Sequence, residues 1–362
     1  MKSIENLFCQ SAQKMSPYSP IEPPDQIAKR LGLPEEKIIK LDANENPFGT
    51  APKVLDALSQ GKYYHIYPDP AQVELRTAIA DYADCHADNI VAGTGADELI
   101  DIVCRLLLEP AEKVISFTPT FGYYSHVIAL NNGTYETYNR EPDFSISLEK
   151  AKNINLAKVK LIILCSPNNP SGNILEEEVL DYFLSQDVVV LLDEAYYEFS
   201  KKTYISKIDQ HDNLIILRTF SKCFGLAGLR VGYGIAAKKL AENVMRIKPP
   251  YSVNVAAEVA LKTCLNNISY YEDQVQQISN YRDWTQSELQ KFKQLQVTPS
   301  LSNFILCRVI DFEAKVLRDK LEEKGILVRY FATDQLKNYI RISVGTKEQM
   351  ETFVSVLKEL IN

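Results

Sequence analysis

The chain has 362 residues, 46% of them hydrophobic and 24% charged, which is typical of a globular protein with two or three packed units. Extensive disorder is therefore excluded, and the formal net charge of −7 argues against a general nucleic-acid or anionic-membrane binder, which needs a basic surface. The seven cysteines include no C-x-x-C pair and the four histidines lack ligand spacing, so neither a disulfide framework nor a metal site is predicted.

Targeting signals are equally absent from the sequence. No apolar run approaches the roughly 18 residues that a membrane span needs, and the N-terminus lacks the apolar core of a secretory signal. The sequence predicts a cytoplasmic protein with no membrane partner. An organellar protein that has lost a transit segment fits the same observations.

The first two thirds of the chain predict alternating strands and helices. Residues 1–40 are rich in proline and charge, with a helix around Pro24–Leu33, and helical spacing returns in Asp97–Leu108. Short apolar or β-branched runs predict strands at Ile90–Ala92, Lys113–Phe117, Leu161–Cys165, Val188–Leu192 and Leu214–Leu217. This alternation is typical of a parallel sheet buried on both faces, where ligands bind outside the carboxyl ends of the strands.

The pattern changes after Pro249-Pro250. A long helix is predicted over Asn254–Lys293, interrupted near Asn266-Asn267. An α+β end follows, with strands at Asn303–Arg308, Ile326–Arg329 and Tyr339–Val344 and helices at Phe312–Lys324 and from Lys347. We expect an α/β protein with a large domain at 46–249 and a small α+β domain at 250–362 that begins with an interdomain helix. Residues 1–45 are expected to pack with the small domain.

The segment RTFSKCFGLAGLR, residues 218–230, carries the strongest chemical signal because it follows a predicted strand. A lysine at such a strand end, here Lys222, can form an imine with an aldehyde cofactor. Ser221 and Arg230 could hold a phosphate dianion, the arginine through two parallel hydrogen bonds. The alternative for Lys222 is a solvated surface lysine in a glycine-rich loop.

Two polar residues follow the neighbouring strands. Asp193 comes directly after Val188–Leu192, where a buried carboxylate needs a partner such as a protonated pyridine nitrogen. A helix cap is the local alternative. Asn169 lies in SPNNPSG, residues 166–172, whose proline and glycine content predicts a turn. The Asn169 side chain could also donate a hydrogen bond to a phenolic oxygen.

A glycine-rich junction and two arginines suggest anion binding. GTGADE, residues 93–98, precedes a helix whose free amides can bind an anion, whereas a dinucleotide motif would require glycine where Glu98 stands. Asp97 and Glu98 also complement the helix dipole. In Tyr339–Val344, Arg341 lies on the face opposite the apolar residues and suits capture of a carboxylate, and Arg329 is a second candidate. A salt bridge to a neighbouring strand is the alternative for Arg341.

The ordered blocks GTGADE, PTFGYY, SPNNPSG, DEAY and SKCFGLAGLR together resemble the fold-type I aminotransferases that depend on pyridoxal 5′-phosphate. Within this group, LDANENPFG at 41–49 and YPDP at 67–70 are similar to the histidinol-phosphate aminotransferase branch. The resemblance runs from residue 17 to the C-terminus. It implies a large domain with a mostly parallel central sheet sandwiched by helices, plus a smaller α+β domain.

The resemblance also implies roles in binding the cofactor. Lys222 would carry pyridoxal 5′-phosphate as a Schiff base and move a proton between the substrate Cα and cofactor C4′, while Asp193 would pair with the pyridine nitrogen. Tyr196 and Asn169 would contact the phenolic oxygen, and Phe121 would stack on the ring where many relatives have tyrosine. The phosphate would be held by Ala96, Asp97, Ser221 and Arg230.

The remaining implied roles concern the substrate and a second subunit. Arg341 matches an arginine for the substrate carboxylate or phosphate, and Arg329 matches one for the phosphate of histidinol phosphate. Tyr18 and Asn46 resemble residues on the substrate side. Tyr67 matches a tyrosine that reaches the cofactor phosphate of the neighbouring subunit, which implies a homodimer with shared active sites.

The implied reaction is a ping-pong transfer of an amino group, as in histidine biosynthesis. It interconverts histidinol phosphate and 2-oxoglutarate with imidazole acetol phosphate and L-glutamate. An aromatic amino-acid aminotransferase and a threonine-phosphate decarboxylase remain alternatives on the same scaffold. A cofactor-binding regulatory module is disfavoured because no basic helix-turn-helix segment precedes LDANENPFG. A nicotinamide dehydrogenase is disfavoured by the missing third glycine.

Overall fold

The computed structural model describes residues 4–15 and 22–361. The strands are β1 (Ile39–Leu41), β2 (Ile90–Gly93), β3 (Lys113–Thr118), β4 (Thr134–Asn139), β5 (Val159–Cys165), β6 (Val189–Asp193), β7 (Leu214–Thr219), β8 (Gly232–Ala236), β9 (Leu295–Thr298), β10 (Phe304–Val309), β11 (Ile326–Tyr330) and β12 (Tyr339–Ser343). The helices are α1 (Gln10–Lys14), α2 (Pro24–Leu31), α3 (Pro52–Ser59), α4 (Val73–Ala83), α5 (Gly95–Leu107), α6 (Tyr123–Leu130), α7 (Leu148–Lys152), α8 (Glu177–Leu184), α9 (Tyr197–Ser200), α10 (Lys238–Ile247), α11 (Val255–Leu265), α12 (Ile268–Leu289), α13 (Ala314–Glu323) and α14 (Lys347–Ile361).

Seven strands form a central sheet in the order β2-β8-β7-β6-β5-β3-β4. The pairs from β4 to β7 are parallel, while β8 is antiparallel to both β2 and β7. The prediction of an α/β protein with a mostly parallel sheet is therefore confirmed. Strands β4 and β8 are not predicted from the sequence, because β4 reads TYETYN and β8 contains two glycines in five residues.

The central strands are buried because both of their faces are apolar. In β5, Ile162 and Leu164 pack into the core on one side of the sheet, whereas Leu161 and Ile163 pack into the core on the other. Helices cover both faces, with α5, α6 and α10 on one side and α3, α4, α8 and α11 on the other. This arrangement leaves the strand ends as the place where polar side chains can gather.

A second sheet has the order β1-β11-β12-β10-β9. Its strands come from the C-terminal part of the chain except β1, which pairs in parallel with β11 through Ile39–Leu41. Helix α13 packs against β11, and α12 and α14 pack against each other beside this sheet. Among the described residues, no helix is both long and apolar enough to cross a membrane.

A buried ion pair joins two central strands at their carboxyl ends. Arg218 Nη2 lies 2.9 Å from Glu194 Oε2, and the two side chains are only 2% and 0% exposed. Thr203 Oγ1 and the amide of Tyr204 also donate to the Glu194 carboxylate. Since Glu194 directly follows β6 and Arg218 lies on β7, the pair connects the two strands that lead to Asp193 and Lys222.

Glu194→Ala is expected to lower the free energy of unfolding by about 3–5 kcal/mol, because it leaves the Arg218 guanidinium buried without its carboxylate. Chemical denaturation of wild type and variant measures the difference. The control is Glu177→Ala, which removes a 65% exposed partner of Lys207 and should cost less than about 1 kcal/mol. Equal losses in the two variants would contradict the structural importance of the buried pair.

Candidate active site

A cavity of about 500 Å³ lies at the carboxyl ends of β3, β5, β6 and β7. Parallel strands end at the same edge of the sheet, so the loops that follow them meet there. The structure brings most of the predicted site residues to the cavity wall. They are Ala96, Asp97, Phe121, Asn169, Asp193, Tyr196, Ser221, Lys222, Arg230, Arg329 and Arg341.

Lys222 extends its amine into this cavity from the loop after β7. Its Nζ donates a hydrogen bond to the carbonyl oxygen of Ala43 at 3.1 Å. Burial, together with the nearby positive charge of Arg341, lowers the pKa of Lys222 to about 8. A sizeable fraction of the amine is therefore neutral and nucleophilic near physiological pH, unlike that of a solvated surface lysine.

Asp193 ends β6 at the bottom of the cavity. Tyr124 Oη donates to Asp193 Oδ2 at 2.6 Å, and the amide of Ala195 donates to Oδ1 at 3.0 Å. Burial raises the pKa of Asp193 to about 6 despite these two donors. A cation placed beside this carboxylate would stabilise its charged form, and a protonated pyridine nitrogen is such a cation.

Asn169, Tyr196 and Arg341 form a hydrogen-bond network on one wall. Asn169 Nδ2 donates to Tyr196 Oη at 3.3 Å, and Arg341 Nη1 donates to Asn169 Oδ1 at 2.6 Å. Asn44 Nδ2 also donates to Tyr196 Oη, at 3.0 Å. The network connects the loop after β5, the residue before α9 and a strand of the second sheet, so both sheets contribute to one site.

The N-terminus of α5 and Arg230 form a cradle for an anion. Gly95 has φ +82°, and a Cβ there would lie 2.7 Å from Arg230 Nη2. A side chain at this position would displace the guanidinium from where it lies, and the positive φ also favours glycine. Arg230 Nη2 donates to Asp97 Oδ2 at 2.9 Å, and Ala96 and Ser221 line the same part of the cavity. Free helix amides and a guanidinium together suit a phosphate.

Arg329 and Arg341 face each other across antiparallel strands β11 and β12. Their guanidinium carbons lie 5.8 Å and 5.7 Å from the centre of the Phe331 ring. Like charges directly opposite each other destabilise a sheet. The pair therefore indicates that this wall of the cavity binds an anion, which would offset the repulsion between the two arginines.

Two of the described site residues, Asn46 and Tyr67, do not line the cavity. Tyr18 lies outside the described residues. Asn46 is buried away from the cavity: its amide donates to Cys223 O and Gln274 Oε1, and its Oδ1 accepts from the amide of Phe48. Tyr67 is 79% exposed and stacks on Tyr251 with ring centroids 4.7 Å apart. Asn46 thus fastens its loop to the protein, and its side chain does not line the cavity.

Three residues that were not predicted from the sequence contribute to the site. Asn44 and Glu45 line the cavity, and Tyr124 contacts Asp193 from α6. Asn44 and Glu45 lie in the LDANENPFG block, but the sequence does not reveal which of its polar side chains point inward. Tyr124 lies in the PTFGYY block, and its contact with Asp193 crosses 69 positions of sequence, so no local signal could have identified it.

Comparison with known proteins assigns the chain to a family. Residues 36–357 match the family model described as aminotransferase class I and II. The chain is 43% identical to the chloroplastic histidinol-phosphate aminotransferase of Nicotiana plumbaginifolia, over 95% of this chain and 84% of that protein. It is 41% identical to the histidinol-phosphate aminotransferase of Dehalococcoides mccartyi, over 92% of this chain and 93% of that one. The chain belongs to the histidinol-phosphate aminotransferase family.

A solved structure agrees with this assignment. The crystal structure of histidinol-phosphate aminotransferase from Sinorhizobium meliloti in complex with pyridoxal-5'-phosphate matches with a TM-score of 0.87 at 26% identity, covering 98% of each chain. The cofactor is pyridoxal 5′-phosphate. The residues present fit it, because the cavity combines an amine of lowered pKa, a desolvated carboxylate and an anion cradle at a helix N-terminus.

Covalent attachment of the cofactor should report the lowered pKa of Lys222. Only the neutral amine attacks the aldehyde, so labelling should rise with pH through a midpoint of about 8. An ordinary lysine would show a midpoint of about 10.4. Apoprotein is exposed briefly to pyridoxal 5′-phosphate at each pH, reduced with borohydride and mapped by peptide analysis.

The matched control is Lys248, another buried lysine, which donates to Ser252 Oγ and does not line the cavity. Burial lowers its pKa as well. Lys248 should nevertheless stay unlabelled because it lies outside the cofactor site. Label on Lys248 with none on Lys222 would refute the assignment.

Proposed function

We propose that the protein is an aminotransferase that interconverts histidinol phosphate and 2-oxoglutarate with imidazole acetol phosphate and L-glutamate. The observation that carries this proposal is the opposed pair Arg329 and Arg341 on the cavity wall that also holds Lys222. L-Glutamate brings a carboxylate and histidinol phosphate brings a phosphate, so one cationic wall can serve both halves of a ping-pong reaction. The names of the relatives point to the same substrate.

Lys222 is proposed to do the proton chemistry. When bound, pyridoxal 5′-phosphate supplies an aldehyde for covalent capture of the amino group and a ring that accepts electrons. The Lys222 amine, with its pKa lowered to about 8 by burial, can take a proton from the substrate Cα and deliver it to cofactor C4′. The Ala43 carbonyl, which accepts a hydrogen bond from Nζ, helps to position the amine.

The other cavity residues are proposed to hold the cofactor. Asp193 would keep the pyridine nitrogen protonated, and Tyr124 would orient that carboxylate. Tyr196 and Asn169 would contact the phenolic oxygen, and Phe121 would cover the ring. The cradle of Ala96, Asp97, Ser221 and Arg230 would bind the phosphate.

The same proposal includes the organisation of the chain. The pairing of β1 with β11 supports an N-terminal segment, 1–45, that belongs with a small domain at 250–362. The central sheet, which lies between Ile90 and Ala236, supports a large cofactor domain at 46–249. Arg329 and Arg341 would then approach the cofactor from the small domain. The absence of a membrane-crossing helix among the described residues fits the proposed cytoplasmic location.

The proposed reaction predicts a clear order of amino donors. With 2-oxoglutarate as acceptor, histidinol phosphate should have a kcat/KM at least about tenfold above that of phenylalanine, because a phosphate gains charge-assisted hydrogen bonds from the arginine pair. Steady-state formation of L-glutamate measures both donors. Higher turnover of phenylalanine would favour an aromatic aminotransferase, and carbon dioxide release from threonine phosphate would reveal a decarboxylase.

We also propose a homodimer in which Tyr67 completes the partner's site. Tyr63, Tyr64, Ile66, Tyr67 and Tyr251 are large apolar residues that are exposed in the single chain. Clusters of this kind mark protein interfaces. Within its own chain, Tyr67 stacks on Tyr251 and does not line the cavity, so contact with a cofactor phosphate would require a second subunit.

Mixing two inactive variants tests this sharing of sites. In a dimer of Lys222→Ala with Tyr67→Ala, one of the two sites contains both wild-type side chains if Tyr67 acts across the interface. Random mixing should therefore restore about a quarter of wild-type activity. The unmixed variants serve as controls. No recovery, with mixed dimers verified by differently tagged chains, would show that Tyr67 does not act across the interface.

A further inference from the structure

Three carboxylates of the described residues line the cavity, and Glu45 differs from the other two. Asp193 is buried and accepts hydrogen bonds from Tyr124 and Ala195, while Asp97 accepts one from Arg230. The Glu45 side chain is 48% exposed, and its ion-pair partner, Lys40, is not a lining residue. Glu45 therefore stands on the cavity wall without belonging to the proposed cofactor cradle.

The position of Glu45 relates it to the reacting amine. It follows Ala43 by two residues, and Ala43 O accepts the hydrogen bond from Lys222 Nζ at 3.1 Å. Burial and the charge of Arg341 lower the pKa of Lys222, whereas the charge of Glu45 acts in the opposite direction. Glu45 is thus close enough to influence Lys222 and has the opposite charge to the arginine wall. Glu45 and Arg341 therefore present opposite charges to the Lys222 amine in the same cavity.

The proposed substrate has two arms that match these regions. The carbon that bears the amino group of histidinol phosphate carries a phosphate ester on one arm and an imidazole on the other. Imidazole has an N–H donor and gains a second donor and a positive charge on protonation. The pKa of the ring is about 6.5. A phenyl ring has no donor and never becomes charged. Glu45 offers a hydrogen-bond acceptor and a negative charge to the arm that the arginines do not bind.

We propose that Glu45 recognises the imidazole ring and thereby discriminates histidinol phosphate from aromatic amino acids. This inference rests on the function proposed above and adds the residue that determines its specificity. Sites that hydrogen-bond a substrate N–H discriminate strongly against analogues that lack it, because the site group is then left without its partner.

The present partner of Glu45 is compatible with this role. The Lys40–Glu45 pair, with Nζ 2.5 Å from Oε2, involves a half-exposed carboxylate, and such surface pairs contribute little to stability. Lys40 Nζ also lies 3.3 Å from Asp42 Oδ1. The lysine would therefore keep a carboxylate partner when Glu45 turns towards a bound ring.

The test is Glu45→Gln, which keeps the shape and a hydrogen-bond acceptor but removes the charge. With 2-oxoglutarate as acceptor, kcat/KM for histidinol phosphate should fall about tenfold, mainly through KM, because charge-assisted hydrogen bonds are about twice as strong as neutral ones. For phenylalanine, kcat/KM should change less than about twofold. The wild-type advantage for histidinol phosphate should also shrink as pH rises through the pKa of the ring, about 6.5.

The matched control is Glu36→Gln, which removes a charge from an exposed carboxylate nine positions earlier in the chain. It should leave both donors unaffected. Unchanged donor selectivity and pH dependence in Glu45→Gln would overturn the role of Glu45 while the proposed function stands, and so would an equal loss for both donors. Absence of histidinol phosphate turnover in the wild type would instead overturn the proposed function and this inference with it.

Discussion

The parallel alignment of β3, β5, β6 and β7 is the constraint on which the site depends. Each of these strands is apolar on both faces and is buried between two layers of helices, so polar side chains can be placed only where the strands end. Their carboxyl ends lie at one edge of the sheet. Phe121, Asn169, Asp193 and Lys222 follow or end four different strands and converge there without any closeness in sequence.

Several charged groups in the cavity have partners that the protein supplies only in part. Asp193 is desolvated, which raises its pKa, and Lys222 is desolvated, which lowers its pKa. Arg329 and Arg341 repel each other across two strands. In the proposed roles of these residues, a cofactor with a basic nitrogen, an aldehyde and a phosphate, followed by an anionic substrate, would offset these costs. These groups lower the stability of the folded protein and at the same time favour the binding of charged ligands.

The sequence predicted the elements that carry strong local signals. The apolar runs that became β3, β5, β6 and β7 were recognised within one or two residues, and so was the interruption between α11 and α12 at Asn266-Asn267. Strands β4 and β8 were missed because alternating polar residues and glycines resemble loops. Asn46 was predicted to face a substrate, whereas its neighbours Asn44 and Glu45 line the cavity. Side-chain direction in an irregular segment has no periodicity from which it could be deduced.

The sequence by itself determined the kind of sheet, the cofactor chemistry and the family, because these depend on short blocks whose residue types and order are specific. Only the tertiary structure decided which side chains meet. The contact of Tyr124 with Asp193, the approach of Arg230 to Gly95 and the pairing of Arg329 with Arg341 all bring together residues from different elements. Such contacts arise from the packing of strands and helices that are distant in the chain, and local propensity contains no information about distances of that kind.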